Sequence, residues 1–160
     1  MIGYDGTAGL PAFLGTPASP HRSFCQVPGL ALRLKTVTLR RSWLVAAHCT
    51  TCCLATPTPC WLSSQNIACN RLHSAEERTA RWLAQTHDRV GSDIIQITQE
   101  FLAQMLGVRR ATVSVSARIL QRAGLIRYNR GCVTILDRAG LRRAACDCYL
   151  TIRREFDKLR

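Results

Sequence analysis

Acidic residues and lysines are scarce in this sequence of 160 residues. There are only 10 Asp and Glu against 22 Lys and Arg, and lysine occurs only at Lys35 and Lys158. The net charge is therefore +12 at pH 7, and arginine carries most of it. A chain this basic usually binds a polyanion, of which nucleic acid is the commonest. The alternative at this level is a ribosomal protein or a merely soluble basic protein.

Long apolar runs are also missing. No stretch approaches the roughly 20 apolar residues that cross a bilayer. The N-terminus, MIGYDGTAGLPAFLG, has no positive region before its apolar residues and makes a poor signal peptide. The sequence therefore predicts a cytoplasmic protein with no membrane partner.

Catalytic motifs are not recognisable. The sequence has no Gly-rich phosphate loop and no paired-carboxylate motif. The four histidines are scattered, and none stands with an acid and a nucleophile in a known arrangement: His21, His48, His73 and His87. We therefore expect no enzyme and no cofactor.

Cysteine is abundant for a cytoplasmic chain, with nine residues. An odd count at irregular spacing argues against a disulfide framework. Thiolates for a metal could come from Cys49, Cys52, Cys53, Cys60 and Cys69, but C-x2-C without a second such pair is a weak signal. Small buried apolar roles explain Cys132, Cys146 and Cys148 better. We therefore predict no metal site and keep a Cys-rich metal-binding interaction protein as an alternative.

Three regions differ in composition. Residues 1–41 are punctuated by Gly and Pro, which predicts short strands and turns. Residues 42–68 are rich in Cys and Thr, contain Pro57 and Pro59, and follow no helical or strand period. In residues 69–160 every local signal agrees on a folded domain that is mainly α with a small β component.

Helix signals open this domain. Ser74 and Glu77 form a capping box, which predicts a helix to about His87. A short extended segment follows at residues 94–97. Thr98 then caps a second helix that Gly107 ends.

A second part of the domain completes the pattern. A helix is predicted over residues 109–122, with Val113, Ala117 and Leu120 on its inner face. Two short strands, residues 125–128 and 132–136, flank a turn at Asn129-Arg130-Gly131, where Asn and Gly suit positive φ. One last helix is predicted from Asp137 to about Leu159, with a stripe at Leu141, Ala145, Cys148, Ile152 and Phe156.

Helix, short turn with glycine, helix and tight hairpin are typical of a winged helix-turn-helix. The helix over 109–122 would enter the major groove, where Arg109 and Arg110 meet base edges. Arg127 and Arg130 in the hairpin would meet phosphate, and the backbone N–H groups of Thr98 and Gln99 could hold another phosphate. Two alternatives stay open: a helical bundle with a solvated basic face, and a protein-interaction module using the last helix.

The stretches ITQEFLAQMLGVRRATV and AGLIRYNRGCVTILDRAGL, within about ninety residues from Cys69 onward, closely resemble the C-terminal domain of the Crp–Fnr family of bacterial transcription regulators. The resemblance implies a regulator that binds double-stranded DNA as a homodimer at two-fold symmetric sites, with RNA polymerase as a further candidate partner. It implies that Arg110 reads a base and that Thr98, Gln99 and Thr112 hold the backbone.

The resemblance also implies a different operator from that of the best-known members. Those members have Glu and Arg where this chain has Ala111 and Val115. Ser114 could bond either base, and Val115 could meet a thymine methyl.

The N-terminal half resembles the family only in part. Residues 1–35 look like the last strands of a cyclic-nucleotide-binding-type β-roll, and Arg22-Ser23 lie near where such rolls grip phosphate. The rest of that pocket is missing, so no ligand is expected. Residues 42–68 stand where the long dimerisation helix belongs but lack its heptads. Our hypothesis is that residues 42–68 are a frame-shifted or degenerate linker after a truncated β-roll. An alternative function is therefore a non-functional or constitutive remnant whose DNA binding is driven by charge alone.

Overall fold

The computed structural model describes residues 25–27, 29–38, 41 and 68–157. The chain divides into two compact units, residues 1–61 and 62–160. Of the expected β-roll remnant (1–41), residues 25–27, 29–38 and 41 are described, and residues 36–38 are helical. The rest of that segment and the linker up to residue 67 lie outside the described residues, so both stay predictions. Among the described helices, none is long and apolar enough to cross a membrane.

Helix α1 (Ala75–Val90) begins at the predicted capping box. The Ser74 hydroxyl accepts a hydrogen bond from the Glu77 backbone N–H at 3.2 Å, and the Glu77 carboxylate accepts one from the Ser74 N–H at 2.8 Å. These bonds hold the pKa of Glu77 below its ordinary value. Gly91 ends the helix with a φ of 68° and an N–H donated to the His87 carbonyl, so α1 continues three residues beyond the predicted end.

Three short antiparallel strands form one sheet, confirming the predicted small β component. They are β1 (Ile94–Gln96), β2 (Ile126–Asn129) and β3 (Cys132–Ile135), with β3 in the centre. Val133 on β3 pairs with Ile95 on one side and Tyr128 on the other. Val133 and Ile135 are buried and alternate with half-buried neighbours, so one face of the sheet joins the core.

Helices α2 (Gln99–Leu106) and α3 (Arg110–Arg122) lie between β1 and β2 in the chain. The Thr98 hydroxyl caps α2 by accepting a hydrogen bond from the Phe101 N–H at 3.2 Å. Gly107 ends α2 in the left-handed region, with a φ of 64°. Both the cap and the terminator agree with the sequence prediction.

The prediction of one continuous last helix is wrong. The structure has two helices there, α4 (Arg138–Ala144) and α5 (Cys148–Asp157), separated at residues 145–147. Ala145 has a ψ of 148°, which ends α4. The predicted stripe is right at Leu141 and Ile152, which are buried. It is wrong at Ala145 and Cys148, which are half-buried, because the break turns Cys146 and Tyr149 into the core instead.

Helix α1 forms the centre of the core and packs on α2, α3, α4 and α5. Burial of large apolar side chains supplies the main favourable term for such a domain. The largest of these fully buried residues come from every element of the second unit: Leu83, Ile95, Leu102, Leu106, Val113, Leu120, Ile126, Val133, Leu141 and Tyr149.

The Asp88 carboxylate on α1 binds residues of both C-terminal helices. Asp88 accepts hydrogen bonds from Arg138 at 2.6 Å and from the Tyr149 hydroxyl at 2.6 Å. Arg142 and Arg153 lie 3.4 and 3.8 Å from its oxygens. Burial acts to raise the pKa of Asp88, but the Tyr149 and Arg138 hydrogen bonds and the arginine charges together lower it below 3.8.

Asp88→Asn is expected to lower the free energy of unfolding by about 1–3 kcal/mol, because three arginines and a buried tyrosine lose their anionic partner. Urea denaturation at pH 7 measures this loss. The folded-state pKa of Asp88 is lowered, so its stabilisation is complete above the ordinary pKa and is lost as pH falls through the lowered one. The difference between wild type and variant should therefore shrink in strongly acidic buffer.

Asp157→Asn is the matched control. Its carboxylate is 57% exposed and, among residues 68–157, pairs only with Arg153 at 3.7 Å, one helical turn away. Such exposed pairs contribute little, so the control should lose at most a few tenths of a kcal/mol. Equal losses in both variants would contradict the role given to Asp88.

Candidate nucleic-acid interface

Helices α2 and α3 form a helix-turn-helix. The turn between them consists of Gly107, Val108 and Arg109, and the Val108 N–H donates to the Ala103 carbonyl at 3.1 Å. The extended backbone at Arg109 (φ −71°, ψ 147°) starts α3 at Arg110, one residue after the predicted start. Arg109 and Arg110 are exposed where the helix begins.

Helix α3 has one buried face and one open face. Val113, Ala117 and Leu120 are buried, as the sequence predicts, and Ser116 joins them. The opposite stripe follows helical spacing and is exposed along its whole length: Ala111, Val115, Arg118 and Arg122. An exposed helix face of this width is the shape that a major groove admits.

The hairpin β2–β3 forms the wing. Its two-residue turn is Arg130-Gly131, with φ values of 44° and 79°, which is the pattern of a type I′ turn. The sequence predicted positive φ at Asn129 and Gly131, and this is wrong for Asn129, which lies in β2 as the pairing partner of Cys132. Arg130 is the only described non-glycine residue with positive φ.

Contacts fix the wing against the rest of the domain. The Gly131 carbonyl accepts a hydrogen bond from the Ile97 N–H at 2.7 Å. The Tyr128 hydroxyl donates to the Ile97 carbonyl at 2.9 Å, and the Tyr128 N–H donates to Gln121 on α3 at 2.6 Å. The wing is therefore held to both the strand before α2 and to α3.

An open groove runs where the start of α2, the start of α3 and the wing meet. Four predicted site residues, Thr98, Gln99, Arg110 and Arg130, line it together. Burial raises the pKa of Tyr128 in this groove, while the charge of Arg110 acts in the opposite direction. The other lining residues were not predicted as site residues: Glu100, Tyr128, Asn129 and Gly131.

The remaining predicted residues lie around the groove rather than in its wall. Ser114 is half-buried on α3, and its hydroxyl donates to the Gln99 side-chain oxygen at 2.7 Å. Thr112 is half-buried in the first turn of α3, with its N–H donated to the Arg109 carbonyl at 2.9 Å. Arg127 is exposed on β2.

Among the described residues, four arginines of the C-terminal helices form ion pairs, and the arginines of α3 and the wing do not. An aspartate, Asp88 on α1 or Asp137 before α4, pairs with each of these four arginines on α4 and α5: Arg138, Arg142, Arg143 and Arg153. Within residues 68–157, no ion pair involves the arginines of α3 and the wing, which are Arg109, Arg110, Arg118, Arg122, Arg127 and Arg130. Their charge is therefore available to an external polyanion.

Sequence reasoning left out Arg118, Arg122, Tyr128 and Asn129. The first two could have been found, because they continue the helical spacing from Ala111 and Val115 opposite the apolar stripe. Tyr128 and Asn129 carry no such signal, since only the folded hairpin brings them beside α2. Residues with metal-binding chemistry gather away from this groove, at Cys69, His73, Cys146 and Cys148.

The family model of the Crp-like helix-turn-helix domain matches residues 77–144. One similar solved structure is described as a transcriptional regulator of the Crp/Fnr family from Eubacterium rectale, at 25% identity and a TM-score of 0.47, covering 68% of this chain and 45% of that one. Another is the Thermus thermophilus catabolite activator protein, at 29% identity and a TM-score of 0.42, covering 68% of this chain and 50% of that one.

This chain spans about half the length of those two proteins. A search of curated protein sequences gave no match. The family match covers nearly all of α1, the sheet, the helix-turn-helix and α4, and it includes every residue that lines the groove. Residues 77–144 are a Crp-like helix-turn-helix domain.

Proposed function

We propose that this chain is a sequence-specific DNA-binding transcription regulator that places α3 in the major groove. The observation that carries the proposal is the shared groove between α2, α3 and the wing, together with the unpaired arginines around it. Phosphate contacts would supply affinity and register, and base contacts would supply sequence preference.

Base reading is assigned to the start of α3. Arg110 lines the groove at the first turn of the helix and is exposed, so its guanidinium can reach the guanine O6 and N7 edge. Arg109 would contact a base or a phosphate beside it. Val115 is 54% exposed on the outward stripe and can meet a thymine methyl.

Ser114 and Gln99 would act as one unit. The Ser114 hydroxyl already donates to the Gln99 side-chain oxygen, so the Gln99 amide nitrogen is oriented away from that bond and can donate to phosphate. The hydroxyl oxygen of Ser114 keeps acceptor capacity for a base amino group. This pair therefore couples backbone anchoring to base reading across the two helices.

Backbone anchoring is assigned to both ends of the groove. The start of α2, at Thr98 and Gln99, offers N–H groups and the positive end of the helix dipole to one phosphate. On the wing, Arg130 stands at the tip and Arg127 on β2, so both can reach a second phosphate. Thr112 adds a hydroxyl in the first turn of α3.

A second copy of the chain and RNA polymerase are the proposed protein partners, and family resemblance supports both. Two copies on one duplex would set their α3 helices about one DNA turn apart, roughly 34 Å. The operator would then be two-fold symmetric.

Selection of duplexes from a random pool with the full-length chain at moderate salt tests the function as a whole. Enrichment of a two-fold symmetric sequence is the expected result. Enrichment of a single half-site would support base reading but contradict the dimer. Binding without enrichment would contradict sequence-specific regulation and leave only charge-driven binding.

Arg110→Ala is expected to weaken binding to the selected site by about 1–3 kcal/mol and to relax the preference at one base position, because a bidentate base contact is lost. Titration against the selected site and its single-base variants measures both effects. Arg143→Ala is the matched control, since it removes the same charge from a side chain 75% exposed on α4. Unchanged affinity and preference for Arg110→Ala would contradict this docking.

Arg130→Asn is expected to weaken binding to all sequences alike and to lower the salt slope by about 1, because one phosphate contact is lost. Asn-Gly is a preferred type I′ pair, so this change removes the charge and keeps the turn. Thermal unfolding should therefore be unchanged or slightly improved. A loss of preference at one base, with the salt slope intact, would instead place Arg130 on a base edge.

A further inference from the structure

Four side chains with metal-binding chemistry lie close together beside the break between α4 and α5. They are Cys69, His73, Cys146 and Cys148, and their ligand atoms all lie within 4.8 Å of one another. Cys69 and His73 precede α1, and the other two thiols lie more than seventy residues later. The fold therefore assembles this cluster from two distant segments.

Two distances inside the cluster are close to the edges of a tetrahedral site, and all of them are 4.8 Å or less. The sulfurs of Cys69 and Cys146 are 3.6 Å apart, and the Cys148 sulfur lies 3.4 Å from the His73 Nε2. Around one Zn²⁺ with its usual bond lengths, two sulfurs are about 3.8 Å apart and sulfur and nitrogen about 3.6 Å. The thiols are free, and 3.6 Å is far longer than a disulfide bond.

Local backbone geometry presents the ligands in pairs. Residues 68–72 are helical, so Cys69 and His73 stand one turn apart on the same side. Cys146 lies in the break between α4 and α5, and Cys148, two residues later, is the first residue of α5. The departure from a continuous helix is what brings both thiols toward the first pair.

The surroundings suit a centre with net negative charge. Cys69 and Cys146 are almost fully buried, and so is the side chain of Arg81 on α1. Among the described residues, the Arg81 Nε finds no hydrogen-bond acceptor. Three thiolates around a divalent ion would give this buried guanidinium an anionic partner.

We propose that Cys69, His73, Cys146 and Cys148 form a structural Zn²⁺ site. Three thiolates and one imidazole complete a tetrahedral shell, and this closed set is typical of structural rather than catalytic zinc. A single ion suits ligands this close together, whereas an iron–sulfur cluster distributes its ligands over more than one iron. The site would tie the segment before α1 to the α4–α5 junction, independently of whether the domain reads DNA.

This site differs from the thiolate set that the sequence offered. That set combined Cys69 with Cys49, Cys52, Cys53 and Cys60. Of these five, only Cys69 is among the described residues. Cys146 and Cys148 were expected to be small buried apolar residues. The proposed role replaces that expectation for these two and leaves it in place for Cys132 on β3.

Metal content of the full-length chain, purified under reducing conditions, is the first measurement. We expect one Zn²⁺ per chain, released when a thiol reagent is added in the presence of a chromogenic chelator. Replacement by Co²⁺ should give the intense visible bands of tetrahedral coordination and a thiolate charge-transfer band. A metal-free chain that also gives no tetrahedral Co²⁺ spectrum would overturn the proposal. So would a Cys69–Cys146 disulfide in the reduced preparation.

Variants assign the ligands. Cys148→Ser and His73→Ala change half-buried residues and should each weaken Co²⁺ binding at least tenfold. His73→Cys should restore binding with a stronger thiolate charge-transfer band, which a residue that only packs would not produce. Retained affinity and an unchanged spectrum in both Cys148→Ser and His73→Ala would overturn the assignment.

Two controls test Cys132 and the four cysteines of residues 49–60. Cys132→Ser should retain the metal, and so should the chain in which Cys49, Cys52, Cys53 and Cys60 are all changed to Ser. The proposal would be overturned, in favour of the thiols of residues 49–60, if the fourfold variant lost the metal while Cys148→Ser and His73→Ala retained it. Chelation of the wild type should lower its midpoint of thermal unfolding by roughly 10 °C or more, whereas chelation should not change the midpoint of Cys148→Ser.

Discussion

The domain depends on the burial of helix α1 on all its sides. Residues 78–87 are all buried, although they include two arginines, two threonines, a glutamine and a histidine. A buried polar group costs free energy unless it finds a partner. Thr79, Arg81 and Thr86 hydrogen-bond within α1 itself, whereas Arg78 and His87 bond to other elements. Arg78 donates to the Leu106 carbonyl at the end of α2, where a positive charge also complements the helix dipole. His87 hydrogen-bonds Asp93 just before β1, at 2.7 Å.

These polar contacts orient the elements that build the groove between α2, α3 and the wing. The end of α2 is fixed by Arg78 and the start of β1 by Asp93, so the turn between α2 and α3 has little freedom to move relative to α1. The wing is positioned through Ile97, just after β1. The Ile97 carbonyl accepts a hydrogen bond from the Tyr128 hydroxyl, and the Ile97 N–H donates one to the Gly131 carbonyl. The groove is thus positioned by hydrogen bonds that lead back to one buried helix.

Local sequence signals predicted most of this domain because they act over three or four residues. The Ser74 capping box, the Thr98 cap and the Gly107 terminator each depend on close neighbours, and all three are present. The failures involve contacts between distant parts of the chain. The break after Ala144 lets Tyr149 reach Asp88 and brings Cys146 to Cys69, 77 residues away. The positive φ of Arg130 likewise follows from the β2–β3 register, which places Asn129 in the strand. Of the predicted site residues, the four that share the groove lie beside helix starts or the turn.

The C-terminal helices are held to α1 by polar as well as apolar contacts. Among the described side chains of helix α5, the buried large apolar ones are Tyr149 and Ile152. Asp88 adds polar contacts by gathering Tyr149, Arg138, Arg142 and Arg153. The proposed zinc site would add a further link, at the junction where α4 ends. Asp88 pairs with arginines of the C-terminal helices only, whereas the arginines of α3 and the wing form no ion pair within residues 68–157, and this unpaired positive surface is the one that the proposed function assigns to DNA.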